Sequence, residues 1–249
     1  MPTIHIVEPT LKTEIGHCFS FIQSVCHAGP DAQWMVWANR SATVSFALPN
    51  VQMQRYFHRR LRRPQCLLLY RKLLRTGDKL FVSTASTIDL LLVHWAAQGQ
   101  LPAGRVYLYV HWLHLSDRKV RWLNTIAKLQ PDLMVFGPVP SVVEVLAQAG
   151  FRQARLVPYP AAVAAVAETS SGSCGDPAVL YAGAARQDKG IGHVVDLAEH
   201  MQRVGSTVPV RLQSAPNHHG EYDALTAADM QRLAGIRYPY LGKRRSNQL

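Results

Sequence analysis

The sequence is short of acid and of paired cysteine. Sixteen Asp and Glu stand against 27 Lys and Arg, a formal charge of +11, which suits nucleotides, nucleic acid or acidic lipid and not cationic partners. Four cysteines, Cys18, Cys26, Cys66 and Cys174, contain no C-x-x-C pair. That excludes the common zinc frameworks and a disulfide scaffold, and a reducing cytoplasm is the compartment it implies. No run reaches the roughly 18 apolar residues of a membrane span. The first residues, MPTIHIVEPT, lack the basic and then apolar pattern of a secretory signal. The expected location is therefore cytoplasmic, with peripheral attachment at the inner face of a membrane left open. Charged residues make up only 17% against 48% hydrophobic, which excludes a disordered chain, and 249 residues allow one or two domains.

What is present is an alternation of short apolar runs with helical stretches. Residues 3–8 read as a strand, followed by a loop holding Gly16 and His17 and a helix over His17–Ala28. Trp34–Asn39 and residues 42–47 have the β-branched and aromatic content of strands. Residues 51–75 carry eight Lys or Arg and no acid, and Pro64 predicts their division into two helices. Strands follow at 79–83, 105–110, 132–136 and 154–158, with helices at 86–97, Asp117–Leu129 and 141–148 between them. This alternation predicts a parallel, doubly wound α/β sheet whose sites lie at the carboxyl ends of its strands. His111 is at one such end, where it reads first as a histidine buried beside Trp112 and hydrogen-bonded to backbone, and second as a ligand-facing one.

Small and turn-forming residues fill 161–177, which marks a linker between a first domain, 1–160, and a second, 178–249. The basic stretch admits three readings: a solvated helix face, a surface of Arg59, Arg60, Arg62 and Arg63 for anionic lipid, or a nucleic-acid face. No helix-turn-helix, zinc-finger or RNP pattern supports the last, so no nucleic-acid partner is expected. His218, His219, Glu221 and Asp223 match no metal-ligand spacing, and a polar loop without metal is expected.

The second domain opens on AVLYAGAARQDKGIGH, residues 178–193: a strand, a turn containing Gly183, Arg186 and Lys189, and a helix beginning near Gly190. Helix N-termini bind anions through unpaired N–H groups and the helix dipole, glycines let backbone approach a ligand, and two basic side chains add formal charge. A diphosphate fits this chemistry. The plainer alternative is a solvated basic turn of the kind found throughout α/β proteins.

The turn GAARQDKG with its following helix resembles the first strand and loop of the C-terminal domain of GT-B glycosyltransferases, family 4 in particular. Lys189 matches that family's lysine, Arg186 occupies an alternative position for its arginine, and Ala184 stands where the commoner pattern has arginine. The resemblance implies two Rossmann-like doubly wound lobes. It further implies a retaining, metal-independent hexosyltransferase without cofactor, taking a UDP- or GDP-sugar donor and a saccharide or lipid-linked acceptor. Arg186, Lys189, Gly183 and Gly190 would hold the donor diphosphate, His111 would be the catalytic histidine facing the sugar, with His114 a weaker match, and Gly16 and His17 would bind substrate. The family's paired glutamates, separated by seven residues, have no counterpart among Glu8, Glu14, Glu144, Glu168, Glu199 and Glu221. The second lobe is also about half the usual length, so a shortened transferase is expected, with its own activity in question. A non-catalytic basic membrane-surface module, or an epimerase on the same two-lobe fold, is the alternative.

Overall fold

The computed structural model describes residues 2–14, 16–111, 113, 116–160, 178–181, 185–212 and 222–236. The chain divides into two compact units, residues 1–165 and 166–249. The expected linker, 161–177, lies outside the described residues, as do His114, Gly183, His218, His219 and Glu221.

The first unit is a sheet of seven parallel strands: β1 (Ile4–Val7), β2 (Trp34–Asn39), β3 (Val51–Phe57), β4 (Lys79–Ala85), β5 (Val106–Val110), β6 (Met134–Gly137) and β7 (Gln153–Leu156). Their spatial order is β3-β2-β1-β4-β5-β6-β7. Five helices cover it: α1 (His17–Ala28), α2 (Arg62–Leu74), α3 (Thr87–Ala97), α4 (Asp117–Leu129) and α5 (Pro140–Gln148). Parallel strands need helical crossovers, so both sheet faces are covered and central strands become apolar throughout, as in the VYLYV of β5. On one face Phe21, Ile22 and Cys26 of α1 pack with Ile6, Val36, Phe81 and Tyr109. On the other, Leu69, Tyr70 and Leu73 of α2, Leu90 and Val93 of α3, and Leu123 and Ile126 of α4 pack on Val7, Val82, Leu108 and Val135. Phe21 shows the strength of such contacts. Its ring is buried 4.7 Å from Tyr109 and 5.2 Å from Tyr159, which contributes about 1.5–3 kcal/mol by burial and about 0.5–1.5 more from ring pairing.

Two expectations are corrected. Residues 51–75 are a strand and one helix, not two helices. Val51 and Met53 are half-buried and Gln52 and Gln54 exposed, the alternation of an edge strand with one wet side. Pro64 then falls in the first turn of α2, where a backbone N–H has no intrahelical acceptor to lose. Residues 42–47 form no strand: Ala42 and Val44 are buried in the α1-side core as irregular backbone, because β3 already occupies the edge next to β2.

The second unit holds β8 (Val179–Tyr181) paired in parallel with β9 (Val210–Leu212). Helices α6 (Ile191–Arg203) and α7 (Ala224–Ala234) pack with them around Ile191, Val195, Ala198, Leu212 and Leu233. Arg232 of α7 binds Asp196 and Glu199 of α6 at 2.9 and 2.8 Å.

Candidate functional site

In the second unit, Arg186 leads into a 3-10 turn over Gln187–Lys189, and Gly190, at φ +80°, passes the chain into α6. That left-handed conformation favours glycine. Arg186, Lys189 and Gly190 are thus brought to one turn. The N–H of Gly190 donates to the Gln187 carbonyl and that of Ile191 to the Arg186 carbonyl, at 3.0 and 3.3 Å. The N–H groups of Gly192 and His193 belong to the first turn of α6, where a helix has no acceptor of its own to offer, and no side chain caps the helix.

Two carboxylates accompany these cations. The guanidinium of Arg186 donates twice to Asp188, at 2.8 and 2.6 Å. Buried Asp229 accepts from the Gln187 amide at 2.7 Å and from Arg232 at 2.9 Å. Its Oδ2 lies 3.4 Å from where a Cβ on Gly192 would stand, so the first turn of α6 has an acid beside it. An incoming anion meets a prearranged arginine that is already paired.

In the first unit, β5 ends at half-buried His111, and α1 begins at exposed His17. Their rings stack with centroids 5.2 Å apart and planes 13° from parallel. Tyr159 stands edge-on to His111 at 5.2 Å and donates its hydroxyl to the His17 carbonyl at 2.5 Å. Burial lowers the proton affinity of His111, the His17 imidazole lowers it further, and Glu8 opposes both. His111 is accordingly a neutral imidazole at pH 7, able to donate one hydrogen bond and accept one. Gly16, a substrate-binding position by the family resemblance, has φ +111° and open space where a Cβ would be. Its glycine requirement is conformational. Next to it the Cys18 thiol is pushed up to about 12, first by burial and then by Glu8, so it is not a thiolate nucleophile.

Sequence reasoning missed Glu8. It follows β1, is fully buried, and accepts hydroxyls from Thr10 at 2.5 Å, Ser83 at 2.7 Å and Thr84 at 2.6 Å. A buried carboxylate is tolerable only with such partners. The signal available was an acid closing an apolar strand, together with the S-T-A-S run ending β4.

The basic quartet is divided by the structure. All four arginines are exposed, but Arg59 and Arg60 sit in the turn before α2, whereas Arg62 and Arg63 in its first turn line a cavity. Among the described residues no cluster of three His, Cys, Asp or Glu is placed to hold a metal ion, and no helix is long and apolar enough to cross a membrane.

No protein-family model matches this chain, and no curated protein does. Solved structures do. One is the lipopolysaccharide outer core galactosyltransferase WaaB in its apo form, with a TM-score of 0.56 and 14% identity over 96% of this chain and 67% of that one. Another is Anabaena Alr3699/HepE in complex with UDP and glucose, with a TM-score of 0.58 and 15% identity over 97% of this chain and 69% of the other. At such identities the likeness establishes the fold: the α/β architecture, with its parallel sheet, is the one these two proteins share.

Proposed function

We propose that this chain is a glycosyltransferase that moves a hexose from a nucleoside-diphosphate donor to a hydroxyl of a saccharide or lipid-linked acceptor. The observation that carries the reading is the turn at residues 186–190. It gathers a guanidinium, an ammonium and the uncapped end of α6 within five residues, on a fold shared with proteins of which one binds UDP and glucose.

In this reaction the bond between the anomeric carbon and the diphosphate oxygen breaks, and a bond to the acceptor oxygen forms. Negative charge grows on the departing diphosphate. A preorganised donor aimed at such charge supplies about 3–4 kcal/mol of transition-state stabilisation. Arg186 grips two phosphate oxygens, Lys189 adds a compact charge, and the Gly192 and His193 N–H groups complete the cradle, so that no metal ion is required. Within the first unit, the neutral imidazole of His111 is suited to hold a sugar hydroxyl as the catalytic histidine, with His17 and Gly16 as the substrate-binding residues beside it. UDP is the favoured donor nucleotide, with GDP second, and the outcome is retention of configuration.

The outer side of α2 and its preceding turn exposes Arg59, Arg60 and Lys72 together with Leu61 at 54% and Leu68 at 59%. Basic and apolar groups in one place support peripheral docking on anionic lipid at the cytoplasmic face, which would bring the chain to a lipid-linked acceptor.

Titration calorimetry with UDP and GDP tests the donor site. Arg186→Ala and Lys189→Ala are each expected to weaken binding about 10- to 100-fold, the equivalent of a charge-assisted contact of about 1.5–3 kcal/mol, with the thermal midpoint unchanged. Equal affinity in both variants, or no nucleotide binding by the unmodified chain, overturns the reading.

A further inference from the structure

Strands β1 and β4 are neighbours in the sheet, but the chain beyond them turns to opposite sides: β2 and β3 extend one edge, β5 to β7 the other. Such a switch point leaves a crevice at the carboxyl ends of the strands, and open α/β sheets bind ligands there. Here the crevice is a cavity of about 160 Å³ whose polar wall is Thr10, Arg62, Arg63, Thr84, Ser86 and Asp89, with Val82 and Leu92 as an apolar floor.

The chemistry of the wall is asymmetric. Thr10 and Thr84 spend their hydroxyl protons on Glu8, at 2.5 and 2.6 Å, and Ser86 spends its own on Asp89 Oδ2 at 2.7 Å. Their oxygens can therefore only accept further hydrogen bonds: Thr84 Oγ1 and Asp89 Oδ1 have no donor among the described residues, Ser86 Oγ keeps one lone pair beside the Asp89 N–H of the capping box, and Thr10 Oγ1 keeps one beside the Cys18 thiol at 3.6 Å. Arg62 and Arg63 offer the reverse. Neither guanidinium has a hydrogen-bond or ion-pair partner among the described residues, although the Asp89 carboxylate lines the same cavity and feels the charge of Arg62. A ligand satisfying both halves presents several hydroxyl donors and one anionic group. The volume falls short of the roughly 300–1,000 Å³ of pockets for drug-sized ligands, so one ring fits and an oligosaccharide enters only by its end.

We propose that this cavity binds a single anionic sugar unit, phosphorylated or carboxylated, with Arg62 and Arg63 on the anion and the hydroxyl and carboxylate wall on the ring. As the charged end of the acceptor, this ligand rests on the glycosyltransferase reading; as a binding site it stands apart from it. Arg62 and Arg63 are specificity-determining residues, separate from Arg59 and Arg60 of the lipid-facing turn.

The test is calorimetric titration of the full chain with glucose 6-phosphate, glucuronate, glucose and inorganic phosphate, and with UDP on the same samples. At least one anionic sugar is expected to bind tenfold or more tightly than both glucose and inorganic phosphate. The two anionic sugars separate a phosphate ligand from a carboxylate one. Arg62→Gln with Arg63→Gln is expected to remove that preference and to leave UDP affinity and the thermal midpoint unchanged, both side chains being exposed. Arg59→Gln with Arg60→Gln is expected to leave it intact. Equal binding of glucose and the anionic sugars, inorganic phosphate binding as tightly as the sugars, or a preference that survives the Arg62/Arg63 double variant overturns the proposal. Sugar binding without UDP binding sinks the transferase reading and keeps the cavity; UDP binding without sugar preference does the converse.

Discussion

Arg186 and Asp188 pose a competition between an internal acid and an external one. Their bidentate pair is well formed, yet the guanidinium is 38% exposed on its side chain and the carboxylate more so, and exposed pairs contribute only about 0.2–1 kcal/mol. A diphosphate with two more charges displaces Asp188 at small cost. Asp188→Asn is therefore expected to tighten UDP binding by roughly two- to fivefold, which calorimetry at fixed ionic strength would read; weaker binding would instead make Asp188 an orienting partner of Arg186. His111 makes a different kind of claim. Its folded proton affinity lies below the ordinary 6.5, from burial first and the His17 imidazole second. Between the two values the unfolded chain holds more protons than the folded one. Stability from this residue is thus complete above about pH 6.5 and lost as pH falls through the lowered value. In urea titrations from pH 8 to 5, the unmodified protein is expected to lose stability more steeply than His111→Asn, and parallel profiles would assign the acid sensitivity elsewhere.

At the scale of elements, β6 and α5 meet without room to spare. A Cβ on Gly137 would stand 2.9 Å from Val142 Cγ1 and 3.0 Å from Val143 Cγ2, and β-branched helical residues have almost no alternative χ1 to retreat into. Gly137→Ala is expected to cost about 1–3 kcal/mol by overpacking, seen as a lower urea midpoint at constant m-value. An unchanged midpoint would show that α5 slides freely. Elements also differ in how much of them could be read beforehand. Helix α1 appears at its expected bounds, His17–Ala28, because several turns of periodicity precede Gly29. The amphipathic α4 also matches, although only Leu123 and Ile126 of its apolar stripe are buried and Val120 and Leu129 stay exposed. Strand β3 is hidden in the sequence, since its glutamines and Arg55 dilute the alternation that an edge strand shows on one side only.

For the molecule as a whole the excess of +11 is the dominant property, and eight of its positive charges lie in residues 51–75. Each basic residue near an acidic bilayer contributes about 1 kcal/mol. Flotation with anionic liposomes is expected to recover the protein at low salt and to release it in high salt. Arg59→Gln with Arg60→Gln is expected to weaken partitioning by roughly 30-fold, about 2 kcal/mol. Equal recovery with neutral liposomes would dismiss the lipid surface.

The alternation of apolar strands with amphipathic helices by itself determines that this chain folds as an α/β protein with parallel strands, and closeness along the chain puts Arg186, Lys189 and Gly190 at one turn. Each of these follows from periodicity or proximity along the chain. Only the tertiary structure stacked His17 on His111, carried Ser83 and Thr84 to Glu8, and separated Arg62 and Arg63 from Arg59 and Arg60 around a cavity. Those pairings depend on which strand lies beside which, and strand order is decided by the packing of all helices on the sheet together, a quantity that no local stretch of sequence contains.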